Sequence, residues 1–242
     1  MAVAYIGQFR NIHLTLADFK PDFSEWRRIA ALGMSNSLNQ LAMTFVQIVL
    51  NNSLTYYGAL SVYGSEIPLA TSGIVIKINA ILVGIIVGIS QGSQPIISFN
   101  YGAAQYTRVR NTYKLAVSIS LAISAVGFVA FQVFPKQVIS LFGTGDQLYF
   151  DFAVQFMRWY LFMVIVNCVQ LLSSNFFAAI GKPIRGVLLS LTRQVFFLVP
   201  LLLILPRFFG IYGIMAAAPV ADFIAFVTSA VVVRGELHRL AA

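Results

Sequence analysis

The 242-residue chain is 59% hydrophobic and only 10% charged, with a mean hydropathy of +0.82, whereas a soluble domain spends about a quarter of its residues on Asp, Glu, Lys and Arg. That composition excludes an ordinary water-soluble domain. The net charge of +8 does not point to a nucleic-acid partner, because the basic residues are spread over four membrane-flanking segments with Asp18, Asp22 and Glu25 among them.

In chain order, Met1 to Phe9 are apolar-rich and end at Arg10. They are too short for a signal peptide and read as the tail of a spanning helix, so that the chain is expected to start inside a larger protein; an interfacial N-terminal stub is the plainer alternative. Residues 11–28 form a polar connector broken at Pro21. Apolar runs follow at 29–57, 67–97, 112–134, 150–180, 187–205 and 211–233. A hydrocarbon core of roughly 30 Å demands about 20 apolar residues per helix, and the runs are continuous rather than alternating, which favours helices over a barrel. The expected fold is therefore all-α and polytopic: a connector at 1–28, a six-helix transmembrane lobe at 29–234 and a tail at 235–242.

Orientation follows from the cations. Arg10, Lys20, Arg27, Arg28, Arg108, Arg110, Lys114, Lys182, Arg185, Arg234 and Arg239 flank one side, and only Lys136 and Arg207 the other. The positive-inside rule then places both termini in the cytoplasm of a multi-pass inner-membrane protein. Cys168, the single cysteine, lies mid-span, so no intramolecular disulfide is possible and a packing thiol is its default role.

Polar side chains recur on one face of several runs. At about 100° per residue, Asn36, Gln40, Met43, Gln47 and Asn51 of the first run form one stripe. Ser72, Asn79, Ser90 and Gln94 cluster on the second, and Asn167, Gln170 and Ser174 on the fourth. Such residues turn toward the bundle interior or a water-filled cavity; interhelical hydrogen bonding alone is the plainer alternative. Gly84, Gly88 and Gly92 recur on another face of the second run and are expected to mark close backbone packing. Pro95 and Pro219 are expected to kink their helices.

Charges within the runs are the sharpest clues. Asp222 falls near the centre of the sixth, and an isolated carboxylate there is expected to be protonated or paired. Arg193 and Lys77 reach a similar depth and are the candidate partners, while Arg158 lies nearer the outer surface, where it is able to snorkel.

No enzymatic chemistry is supported. Gly88-Ile89-Ser90-Gln91-Gly92 fits a nucleophile elbow, but the only histidines, His13 and His238, lie outside the runs and Ser90 has no base. No metal-ligand spacing, P-loop or dinucleotide loop is present, so no catalytic residue, metal site or cofactor is expected.

The segment from Gly92 to Ala103, Gly-Ser-Gln-Pro-Ile-Ile-Ser-Phe-Asn-Tyr-Gly-Ala, resembles the one ending the eighth helix of multidrug and toxic compound extrusion (MATE) transporters. Other matching pieces follow in family order: Gln47 to Leu54, Phe134-Pro135 leading to Leu141-Phe142-Gly143, Gly181-Lys182-Pro183, Arg193-Gln194 running to Pro200, and Ala218 to Asp222. The resemblance implies two six-helix lobes around a central cavity, of which this chain is similar to the C-terminal one. It also implies alternating-access export of cationic or amphipathic compounds against inward Na⁺ or H⁺ flow. On that reading Asn36, Gln40, Met43, Gln47, Asn51, Asn79, Met163, Asn167 and Gln170 line the cavity, the methionines giving adaptable contacts. Asp222, with Arg193 and Lys77, carries the ion-coupling or buried charge.

The family's acidic ligand in the helix matching 29–57 has no counterpart here, which puts coupling through that helix in doubt. The implied partners are the bilayer, the substrates, and either a separate N-terminal lobe or a second copy of this chain. A lipid-linked saccharide flippase of the same superfamily and a non-transporting membrane fragment or assembly protein are the rival readings.

Overall fold

The computed structural model describes residues 23–239, with the backbone alone over 24–36. By contacts the chain divides into a unit ending at Ser37 and a main unit beginning at Leu38; the packing described below is that of the main unit. The described elements are α1 Phe23–Ala59, α2 Glu66–Gly102, α3 Tyr106–Val133, the short α4 Pro135–Ser140, α5 Gln147–Tyr160, α6 Val164–Ala179, α7 Pro183–Leu191, a π-helical turn Thr192–Leu198, α8 Val199–Phe209 and α9 Ile211–Arg239. Residues 1–22, including the expected helix tail and most of the expected connector, lie outside the described residues.

Among the described residues, α2, α3, the continuous stretch Pro183–Phe209 and α9 are each long and apolar enough to cross a bilayer. α5 and α6 meet at a 50° bend and together are as apolar as the others, as one broken span or a re-entrant pair. The protein is thus a multi-pass, all-helical membrane protein. α1 runs for 37 residues but is not among the apolar spans, because Gln40, Gln47, Asn51 and Asn52 interrupt its apolar stretch. The expected fourth run is one apolar tract in sequence and two helices in space.

Helices outlast the apolar runs wherever polar turns continue them beyond the hydrocarbon. α9 reaches Arg239, past the expected lobe boundary at 234, and α2 and α9 continue through Pro95 and Pro219. Stops have local causes. Asp146 caps α5 by accepting the Tyr149 N–H at 2.9 Å, which satisfies one of the free donors of a helix start. α6 ends in a Schellman turn: Gly181 takes φ +74, and the N–H groups of Lys182 and Gly181 return to Phe177 and Ala178. Pro183 then opens α7, where its missing N–H costs nothing.

The core runs from Val75, Ile78, Leu82 and Ile86 of α2, through Phe152, Phe156 and Met157 of α5 and Phe176 and Phe177 of α6, to Ile214 and Met215 of α9. In lipid, helices associate by close packing rather than by escape from water. Ala217, Ala218, Ala221 and Ala225 of α9 are accordingly almost wholly buried. The glycines at tight crossings are Gly127 against Leu82, Gly213 against the Leu205 backbone and Gly186 against the Ser174 carbonyl. The expected Gly84–Gly88–Gly92 stripe is corrected here: a Cβ at any of the three would meet nothing within 4 Å, so that face is open in the described unit.

Candidate functional site

Asp222 sits 11 residues into α9, roughly 16 Å from its start at about 1.5 Å per residue, and is only 5% exposed. Its carboxylate is met from the neighbouring span, where the Arg193 Nε donates to Oδ1 at 2.5 Å. A local irregularity sets that approach. Pro200 has no N–H to donate and its ring crowds the carbonyl four residues earlier. The preceding turn widens accordingly, with the Val199 N–H reaching back five residues to the Gln194 carbonyl. Such π turns are frequent at functional sites, and this one carries both Arg193 and Gln194. Tyr160, the last residue of α5, lies within electrostatic reach of both charges.

Beside this pair runs a hydrogen-bonded polar chain. Ser190 Oγ donates to Asn39 Oδ1 at 2.6 Å, and Gln194 Nε2 approaches Ser190 Oγ at 3.4 Å. Gln170 donates to the Leu189 carbonyl at 3.3 Å. α1, α6 and α7 are therefore pinned at one level by polar groups. Asn175 Nδ2 donates to Ser90 Oγ at 2.8 Å, linking α6 to α2 and giving Ser90 a structural partner. Gln194 Oε1, Asn79 Oδ1 and Ser174 Oγ are buried with no protein partner. In low dielectric an unmet polar atom costs about 1–3 kcal/mol, so these atoms mark where a water, ion or polar ligand group has something to bind.

The sequence-derived residues fall into three groups. Gln40, Met43 and Gln47 are exposed on α1, with Asn51 half-buried and linked to Gln47 at 3.4 Å. Met163, Asn167 and Asn79 are half-buried, and Gln170 is buried and engaged with Leu189. Asn36 lies outside the described side chains. Of the two candidate partners for Asp222, Arg193 makes the pair; Lys77 is corrected to an exposed position on α2, outside the described ion pairs.

Sequence reasoning missed Asn39 and Asn175, which lie beside the polar stripes of α1 and α6 rather than in them, and Ser190, a single small hydroxyl on α7. It also missed Glu236. This carboxylate is 4% exposed and takes Lys182 Nζ and, at 2.8 Å, Arg185 Nη1. The two cations read in sequence as a topology signal also clamp the end of α9 to the start of α7. Among the described residues no group of three or more His, Cys, Asp or Glu is gathered to hold a metal.

The family model described as MatE matches residues 36–204, a stretch from α1 to α8 that includes Arg193 and the Asn39–Ser190–Gln194 chain but ends before Asp222 and Glu236. This chain belongs to the MatE family. It is 24% identical over 212 residues to the multidrug export protein MepA of Staphylococcus aureus strain bovine RF122, covering 88% of this chain and 44% of that protein. The MepA of Staphylococcus haemolyticus strain JCSC1435 is 24% identical over 203 residues, 84% of this chain and 43% of that one. The chain thus spans under half the length of the curated relatives it matches.

Among solved structures, a transporter of the MOP superfamily from Pyrococcus furiosus superposes with TM-score 0.84 at 18% identity, over 99% of this chain and 52% of that one. An outward-facing multidrug resistance MATE transporter gives 0.84 at 19% over 98% and 52%, and an inward-facing one 0.81 at 18% over 99% and 54%. At these identities the likeness concerns the fold.

Proposed function

We propose that this chain is the C-terminal lobe of a cation-coupled multidrug exporter that works by alternating access in the plasma (inner) membrane, both its termini cytoplasmic. The observation that carries the reading is the MatE family match over residues 36–204. The relatives' designation as multidrug export proteins favours drug export over lipid-linked saccharide flipping. Likeness of nearly equal degree to outward- and inward-facing transporters supports a lobe that moves as one body while its partner surface rearranges.

On this reading the exposed Gln40, Met43 and Gln47 of α1, with Asn51, form the wall that the lobe turns toward the substrate. A separately encoded first lobe, or a second copy in the same orientation, closes the cavity. Cationic or amphipathic compounds take their polar contacts from the amides and their apolar ones from Met43 and Met163. Asp222, held by Arg193, is the group through which H⁺ or Na⁺ acts: a cation that reaches the carboxylate competes with the guanidinium and frees it.

The decisive test is Asp222→Asn in the complete transporter, read as ethidium efflux from cells at several external pH values and Na⁺ concentrations. The expected result is a changed pH or Na⁺ dependence. Unchanged dependence, with normal protein level, confines Asp222 to a structural role.

A further inference from the structure

Two cavities meet at Arg158. One, of about 530 Å³, has walls of mixed polarity that include Lys136, Gln137, Asp151, Gln155 and Tyr63. The other, of about 470 Å³, is almost entirely apolar and is lined by Trp159, Phe162, Pro219 and Val220. Arg158 belongs to both, and Gln132 ties α3 to α5 at the join by donating to the Arg158 carbonyl at 2.9 Å.

The charge in this double cavity is unbalanced. Lys136 and Arg158 face a single carboxylate, Asp151, which accepts from Gln147 Nε2 at 3.0 Å. Among the described residues the ion pairs are Lys182–Glu236, Arg185–Glu236 and Arg193–Asp222, so neither Lys136 nor Arg158 has a described carboxylate partner. Lys136 is held over the Phe150 ring at 5.5 Å, a cation–π contact that orients its ammonium without neutralising it. Arg158 lies 11 residues into α5, roughly 16 Å along it. Its side chain is exposed, so the guanidinium is open to an anion at the interface.

We infer that this double cavity is a binding site for one anionic phospholipid, its phosphate between Lys136 and Arg158 and an acyl chain in the groove beside Trp159 and Phe162. Two cations less one carboxylate leave a single positive charge, which matches a net charge of minus one. A planar guanidinium suits phosphate oxygens. The apolar groove and the polar cavity share Arg158, as a head group and tail require. The occupant is a lipid rather than free phosphate because Arg158, one of the two cations, also lines the apolar groove, which a free ion would leave empty.

The test uses the full chain carrying Trp26→Phe, which leaves Trp159 as the one remaining of two tryptophans, in nanodiscs of phosphatidylcholine and phosphatidylglycerol. Dibrominated phosphatidylglycerol is expected to quench Trp159 at a several-fold lower mole fraction than dibrominated phosphatidylcholine. A nearby membrane-surface cation is worth about fivefold in anionic-lipid affinity. In the same background, Lys136→Gln with Arg158→Gln should therefore bring the ratio of the two lipids close to one. Arg207→Gln, at an exposed cation outside both cavities, should leave it unchanged.

Equal quenching by both lipids in the parent protein overturns the assignment, and that measurement stands even where a variant fails to fold. A preference that survives the double substitution, or that falls equally with Arg207→Gln, overturns it as well. Glycerol phosphate, which carries the anion without the chains, should relieve the quenching only at concentrations far above that of the lipid; relief at an equal concentration would assign the cavity to a soluble anion and refute the lipid.

Discussion

Arg193 and Asp222 are 29 positions apart in the chain and 2.5 Å apart in space, joining the π turn of one span to the buried face of the next. Each charge is tolerated at that depth because of the other. Removing one partner of a buried pair costs about 3–5 kcal/mol, whereas replacing both by apolar groups of similar volume is often neutral or stabilising. Arg193→Met is therefore expected to lower the melting temperature in detergent sharply, and Arg193→Met with Asp222→Leu to recover most of the loss. A double mutant no more stable than the single would mean that the pair is not mutually dependent.

The clamp at the other end of α9 behaves asymmetrically. Lys182 and Arg185 keep 34% and 47% of their side-chain surface, while that of Glu236 keeps 3%. With Glu236→Gln the two cations regain water and the amide oxygen still accepts a hydrogen bond, so the expected loss is about 1–2 kcal/mol. Replacing both Lys182 and Arg185 by Ala strands a buried carboxylate and should cost more. Denaturation midpoints order the two variants; the reverse order would contradict the clamp.

Glycine substitutions separate crossings within the unit from its open face. A Cβ at Gly186 lands on the Ser174 carbonyl, and overpacking of this kind costs about 1–3 kcal/mol. Gly88→Ala meets nothing in the unit and gains helix propensity of up to about 1 kcal/mol, so its melting point should hold or rise. Should Gly88→Ala instead abolish efflux of the complete transporter while leaving this helical unit stable, the open stripe is where another segment packs.

The spans were legible because hydrocarbon thickness fixes a minimum apolar length, which is why five of the expected runs correspond to apolar spans or to the bent pair. α1 is the exception for a physical reason: the amides that form its polar stripe are the residues that lower its apolarity. The Arg193–Asp222 pairing was half legible, since depth along a helix reduces the candidates to two but cannot say which side of the helix Lys77 faces. The bend between α5 and α6 and the Glu236 clamp left no periodic trace. A single carboxylate near a helix end reads in sequence as solvent-exposed charge until its partners are seen.

The cavity reading rests finally on whether the α1 stripe meets water. Cys168 is 2% exposed, and its thiol donates to the Ile165 carbonyl at 2.9 Å, so the chain should be silent to thiol reagents while folded. That makes it a clean background for single cysteines. Gln47→Cys, at an exposed position, is expected to react with a membrane-impermeant maleimide in the complete transporter and to be protected by excess substrate. Gln170→Cys, buried beside Leu189, should stay unmodified until the protein is denatured. If Gln47→Cys reacts only with lipid-soluble reagents, the stripe faces hydrocarbon, four polar side chains on one helix have no aqueous partner, and a substrate path along α1 is excluded.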